Sequence, residues 1–297
     1  MRKIVALCNL CRLWFNNIII KLFFHKPSMD KKYYASICLI FKNEAKYLDE
    51  WIKYHLIIGF DHFYLYNNFS SDNYKEVLKP YIEKGIVTLR DWEIPAGQMP
   101  AYNDCLENFG NESDWILFAD ADEFVVPIKY DNVKNWLKKY EKFPCVLVFW
   151  RGFTSGGIMH EDFSVPVVER FTSCEASLAH TPKMFLNTHF MKMIKKFTMP
   201  HFARWKFFNK ICPQYAQAFT ELNCHIQEPE IQMNHYYCKS LEYYTNKKIP
   251  GGDADKITNK YTLDDFFKRD IRGTTKDFAV FKYLIRLKTF NIDDYIS

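Results

Sequence analysis

Glycine and proline are scarce in this chain, 10 and 12 among 297 residues, and nowhere do they gather with serine into a linker or a disordered tail. No internal repeat is visible, so the chain is not a repeat array. There is no glycine-rich phosphate loop, which excludes a P-loop enzyme. The nine cysteines are odd in number and lack paired spacing. Cys8 and Cys11 form the one close pair, without the second pair or nearby histidines that a zinc site needs. That usage reads as buried free thiols in a reducing compartment. An uninterrupted run of about 20 apolar residues, the length a spanning helix requires, is also missing. Asn9, Arg12, Asn16, Asn17 and Lys21 break the apolar N-terminus. No small-residue cleavage site follows it, which speaks against a removed signal peptide.

What the chain has instead is aromatic mass, with 27 Phe, 19 Tyr and 7 Trp, enough for a large core. Its formal charge of +5 is unevenly placed. Residues 1–32 hold seven basic side chains (Arg2, Lys3, Arg12, Lys21, Lys26, Lys31 and Lys32) against Asp30, so the remainder sums to −1. An excess confined to one terminus is not a nucleic-acid-binding surface. In that segment Leu7, Leu10, Trp14, Ile18 and Leu22 recur at helical spacing, with Asn9, Arg12 and Asn16 on another face. Two readings stand: a helix lying peripherally on an anionic membrane, at its cytoplasmic face, or a helix packed on the protein's own core. The expected organisation is a basic amphipathic segment at 1–32, a main domain at 33–252 and a helical extension at 253–297.

From Ala35 onward short apolar runs alternate with helical periodicity. Strands are expected at 36–41, 62–66, 86–89, 115–119 and 145–150, with helices between them, the first stopped by Gly59. Such alternation gives an α/β fold with a mostly parallel sheet flanked by helices. Beyond Arg151 the pattern becomes irregular, and turns helical after Tyr261 with Thr262 as N-cap. Ligands of open α/β sheets sit beyond the carboxyl ends of the strands. Lys42-Asn43-Glu44, Asn67-Asn68 and Asp120-Ala121-Asp122 all fall at such ends.

Asp120 and Asp122 close the apolar run Trp115–Ala119. Two carboxylates there would be costly if buried unpaired. A divalent cation, Mn²⁺ or Mg²⁺, removes that cost and can also hold a diphosphate. A bare Asp-x-Asp is otherwise a solvated turn; its register with the other strand ends favours a site.

The ordered series Lys42-Asn43-Glu44, Glu50–His55, His62–Asn68, Gln98 with Ala101–Leu106, Trp115–Val126, Val168-Glu169-Arg170-Phe171 and His235–Glu242 resembles glycosyltransferase family 92, a relation of family 2 enzymes. The resemblance implies a GT-A (Rossmann-like) fold and a nucleotide-diphosphate sugar donor, with UDP-galactose favoured. It also implies inversion at the anomeric carbon. The acceptor is expected to be a glycan, and the basic N-terminus hints at a membrane-associated one such as a lipid-linked saccharide. Inversion needs a general base. Glu161, Asp162 and Glu169 are the candidates, with Glu169 preferred and an ion pair with Arg170 its structural alternative. His235 is the candidate third metal ligand beside Asp120 and Asp122; its alternative is a hydrogen-bonded core histidine. Lys239 and Ser240 suit phosphate contacts. Asn43, Glu44, Asn67, Gln98 and Asn103, with Lys42 and Asp120, would line the nucleotide-sugar pocket, or else cap helices and loops. Two departures from the family's pattern stand out: Asn67 where an aspartate is common, and Gly156-Gly157 where Gly-His is usual. Two other classes remain open: a metal-dependent nucleotidyltransferase or phosphatase, and a carbohydrate-binding protein with degenerate catalysis.

Overall fold

Tyr33–Phe41 forms the first strand, β1, and is almost wholly buried because both faces of the sheet are covered. A computed structural model describes residues 28–179, 181–205, 229–251 and 261–295, together with Cys11, Phe15, Ile18 and Leu22 of the N-terminal segment, which are helical. The membrane-surface expectation otherwise falls on residues outside that set. Among the described residues no helix is long and apolar enough to cross a membrane.

After β1 come α1 (Ala45–Ile57), β2 (His62–Asn67), α2 (Tyr74–Glu83), β3 (Val87–Asp91), α3 (Gln98–Phe109), β4 (Ser113–Phe118) and β5 (Glu123–Pro127). Gly59 stops the first helical segment at φ +101°, a conformation only glycine adopts without strain. Alternate residues of each strand feed opposite layers. Ile37, Leu39 and Phe41 of β1, Phe63 and Leu65 of β2, and Trp115 and Leu117 of β4 pack with Leu48, Trp51 and Ile52 of α1. Cys38, Ile40, Tyr64, Tyr66, Ile116 and Phe118 point the other way, onto Ala101, Tyr102 and Cys105 of α3.

The second half adds α4 (Val133–Leu137), β6 (Cys145–Gly152), α5 (Val167–Arg170), β7 (Ser173–Cys174), β8 (Pro182–Asn187), β9 (Ile194–Met199), β10 (Phe202–Trp205) and β11 (Ile231–His235). The main sheet has eight strands in the order β3-β2-β1-β4-β8-β6-β11-β5. The first four are mutually parallel. Strand β8 runs against both β4 and β6, β11 runs with β6, and β5 runs against β11. The sheet is thus mostly parallel but mixed, with helices on both faces.

Strands β8 and β11 depart from the irregular pattern expected beyond Arg151. Each enters the main sheet, and together they carry the acidic turn's neighbours. Beyond β11 the chain is helical from Leu241 to Gly251, as α6 (Leu241–Tyr243), a π-helical turn at Tyr244–Lys248 and a last turn at Ile249–Gly251. The final elements are α7 (Leu263–Asp270), capped by Thr262 as expected, β12 (Thr275–Lys276) and α8 (Leu284–Lys288). Val280, Tyr283 and Leu287 join the same core as α1, so this tail packs as part of the main fold. Cys38, Cys105, Cys145, Cys174 and Cys238 are buried free thiols.

Candidate active site

The carboxyl ends of β1, β2 and β4 lie side by side because those strands are neighbours, and β11 brings His235 opposite Glu123. This topology gathers residues far apart in sequence around the turn Asp120-Ala121-Asp122.

Asp122 is nearly buried and faces two basic side chains. Its Oδ2 lies 2.9 Å from the Lys248 ammonium and its Oδ1 lies 3.5 Å from His235 Nε2. Burial pushes this carboxyl up, but Lys248 and His235 outweigh it and hold the acid well below the usual range. His235 packs against the Trp150 ring at 4.2 Å between centroids, tilted by 43°, which restrains the imidazole. Donors about 2.1 Å from one cation stand roughly 3–3.5 Å apart, so Asp122 and His235 fit two corners of a coordination shell. Among the described residues no three His, Cys, Asp or Glu side chains converge closely enough to hold an ion unaided. Oxygens of a phosphorylated ligand would complete such a shell, the usual arrangement for small hard cations.

Asp120 is differently engaged. It accepts from Gln98 Nε2 at 2.8 Å and from Lys183 Nζ at 2.7 Å. Lys183 is the second residue of β8, is fully buried, and also lies 3.5 Å from the equally buried Glu123. Glu123 in turn accepts from the backbone N–H of Asp120, which shapes the turn. Burial would strip the proton from Lys183, but Asp120 and Glu123 hold its pKa well above the ordinary value. Burial pushes the Glu123 carboxyl well up; Lys183 opposes, while Asp120 and Asp122 add repulsion. Of the three expected metal ligands, then, Asp122 and His235 come together and Asp120 is turned to a lysine and an amide.

The loops after β1 and β2 lock onto each other. Asn43, strained at φ +54°, donates its N–H to Ser70 and accepts from Ser71 N at 2.7 Å. Asn67 donates to Tyr74 Oη and to Asp91 Oδ1, at 2.8 and 2.9 Å. Asp91 ends β3 in register with Asn67, and its Oδ1 accepts from both Asn67 and Tyr74. Glu44 is buried, with Oε1 at 2.7 Å from Lys247 Nζ. Lys247 also donates to the carbonyls of Lys42 and Asn43.

Four expected site residues are placed elsewhere or otherwise. Asn103 bonds to Phe197 through both its amide groups and fastens α3 to β9. Ser240 caps α6 and donates to Glu161. Lys239 is buried against the faces of Tyr47 and Tyr243, 3.7 and 4.1 Å from their centroids. Glu169, the preferred base, is bonded to Lys288 of α8 at 2.6 Å, and Arg170 pairs with Glu161 instead. A carboxylate already neutralised by an ammonium is a weak proton acceptor, so the geometry argues against Glu169. Glu161 is engaged by Arg170 and Ser240, and exposed Asp162 accepts from Ser164.

The residues sequence reasoning missed are Lys183, Glu123, Asp91, Trp150, Lys247 and Lys248. The signals available were a lysine interrupting an apolar run at 182–186 and a lysine doublet in an aromatic stretch.

The profile of Glycosyltransferase family 92 matches residues 31–202. A family 92 protein of Ricinus communis is 31% identical over 102 residues, 34% of this chain and 18% of that one. A galactan beta-1,4-galactosyltransferase of Arabidopsis thaliana is 38% identical over 107 residues, 32% of this chain and 21% of that one. A beta-1,4-galactosyltransferase of Caenorhabditis elegans is 31% identical over 110 residues, 32% of this chain and 26% of that one. The matched stretches therefore span about a quarter or less of these relatives. Among solved structures, S. aureus TarS 1–349 in complex with UDP-GlcNAc aligns with 54% of this chain and 46% of its own, at 16% identity and a TM-score of 0.38. A likeness at that score carries no weight for function.

Proposed function

Because the chain belongs to glycosyltransferase family 92, we propose that it transfers a hexose, galactose favoured, from a UDP-sugar to a glycan acceptor with inversion. Galactan and other beta-1,4-galactosyltransferases among its relatives support the choice of sugar. The observation that carries the reading is Asp122 and His235 meeting at the carboxyl edge of the sheet, 3.5 Å apart, beside two loops tied to each other. Mn²⁺ or Mg²⁺ held by those two residues would supply counter-charge for a departing nucleotide. The protein's own groups do the rest. Asn43 and Asn67 hold the two loops in place, Asp91 offers a carboxylate at the nucleoside end, and Trp150 buttresses His235. The Gln98 and Lys183 contacts keep Asp120 fixed, so the turn presents Asp122 without rearrangement.

The test is UDP release by the full chain from UDP-galactose, UDP-glucose and UDP-GlcNAc, with Mn²⁺ or with chelator. Release that depends on the cation and favours one sugar is expected. Asp122→Asn should lower it at least ~100-fold, roughly 3 kcal/mol of transition-state stabilisation. Phosphate release without sugar preference would instead make the protein a hydrolase, and glycan binding without turnover a binding module.

A further inference from the structure

One short segment after β11 carries three lysines into the site. Lys248 Nζ lies 2.9 Å from Asp122 Oδ2 and 4.3 Å from the centre of the Tyr237 ring. Lys247 Nζ lies 2.7 Å from Glu44 Oε1 and 2.6 Å from the Asn43 carbonyl. Neighbouring helical residues point about 100° apart, and here the two reach acids on two different loops, those after β1 and β4. Those loops are adjacent because β1 and β4 are paired strands. The lysines sit at the end of a π-helical turn, Tyr244–Lys248, an irregularity that concentrates at functional sites.

The third lysine is the informative one. Lys239 is 1% exposed and its Nζ has no hydrogen-bond partner. Its backbone is in the left-handed region at φ +46°, a costly conformation for lysine. Burial lowers its pKa to about 8, with Glu44 and Asp122 opposing. One carboxylate oxygen of Glu44, Oε2, is likewise buried without a partner. Two carboxylates thus face three ammonium groups, and the cluster holds one positive charge in excess before any metal arrives. A pocket built for a cation alone would not gather lysines, since each repels it. Lysine is, by contrast, a phosphate binder that acts as a point charge.

We propose that Lys247 and Lys248 are pyrophosphate-binding residues, parked on Glu44 and Asp122 until a nucleoside diphosphate arrives. Lys248 then grips the anion without help from a cation, and by leaving Asp122 frees that carboxylate to coordinate one. The excess charge of the cluster, with Lys239 behind it between two tyrosine rings, draws the anion in. This rests on the glycosyltransferase reading above.

The experiment is two calorimetric titrations of the full chain, UDP in the presence of EDTA and Mn²⁺ without nucleotide. The wild type is expected to bind UDP in EDTA. Lys248→Met should weaken that binding at least ~10-fold, the loss of one charge-assisted hydrogen bond. The same variant should bind Mn²⁺ more tightly, at least ~10-fold, because the competing ammonium is gone. A merely structural lysine would weaken both. Unchanged UDP affinity in EDTA, or unchanged or weaker Mn²⁺ affinity, overturns the proposal. Wild type that binds UDP only with Mn²⁺ overturns it too and leaves the transferase reading standing. Wild type that binds no UDP in either condition overturns both. Should Lys248→Met fail to melt cooperatively, Lys248→Gln, which keeps a hydrogen bond to Asp122, gives the same two readings.

Discussion

Asp120 and Asp122 stand two residues apart on one turn and each holds a lysine, yet the two pairs are built on different scaffolds. Lys183, the partner of Asp120, is 0% exposed and stands near the start of β8, paired with Val148 of β6. Lys248, the partner of Asp122, is 16% exposed and ends a short π-helical turn. A lysine wholly enclosed in the core cannot swing away from its acids without opening the packing around it. A lysine on a helical turn needs only a change of rotamer. The same chemical pair therefore serves as a fixture on one side of the turn and as an exchangeable counter-ion on the other.

The fixture is broken by Lys183→Met. Removing one partner of a buried ion pair leaves the other uncompensated, a loss of about 3–5 kcal/mol. Asp120 keeps 34% of its side-chain exposure and can recruit water, so the lower end, about 3 kcal/mol, is expected. For a chain of this size that is a drop of about 6–12 °C in Tm. A Tm within 2 °C of wild type, about 0.5–1 kcal/mol, would show that Lys183 is no fixture. Lys248→Met should lower Tm by less, because Lys248 is itself partly exposed and Asp122 retains His235.

Glu123 sharpens the contrast from inside the fixture. Burial raises its carboxyl well above the ordinary value, so the unfolded chain gives up this proton first as pH rises. Stability from the neutral form is complete below about pH 4.3, the unfolded value, and is lost as pH climbs toward the folded one. Glu123→Gln removes that dependence. Its Tm should equal or exceed the wild type's at pH 8, with the advantage shrinking as pH falls toward about 4.5. A variant strongly destabilised at pH 8 would mean that Glu123 is ionised and that Lys183 needs both acids.

These two scaffolds also mark where sequence was readable. Strands β1, β2 and β4 are buried on both faces and appear as continuous apolar runs, so they and the loops beyond them were legible, and Asp122 with them. Strand β8 was not, because Lys183 interrupts Pro182–Asn187 and its neutralising partners lie about 60 residues away in sequence. Strand β11 hides its register in polar residues. Gln232 and Asn234 are fully buried but satisfy each other at 2.7 Å, with Asp277 accepting a further bond. Local patterns cannot report a polar group whose partner is distant in the chain. Asn103 joins α3 to β9 and Glu169 meets Lys288, contacts that a local motif does not report because each partner is distant in the chain.

Glu169 puts the contrast between fixture and exchangeable partner to its mildest test. It lies on α5, four residues long, and its carboxylate contacts Lys288 of α8, both partly exposed at 27% and 48%. An exposed pair of this kind is worth about 0–1 kcal/mol. Glu169→Gln should therefore shift Tm by no more than a few degrees, about 2–4 °C per kcal/mol, and leave UDP-sugar turnover within ~2-fold, under about 0.5 kcal/mol of barrier. Loss of turnover with UDP binding intact would return Glu169 to the role of base. It would also require Lys288 to release it, so Lys288→Met, which removes the competing ammonium, would then raise the rate. Unchanged turnover in both variants leaves the α5–α8 contact a brace, and leaves the chemistry to the edge of the sheet where Asp122 and His235 meet.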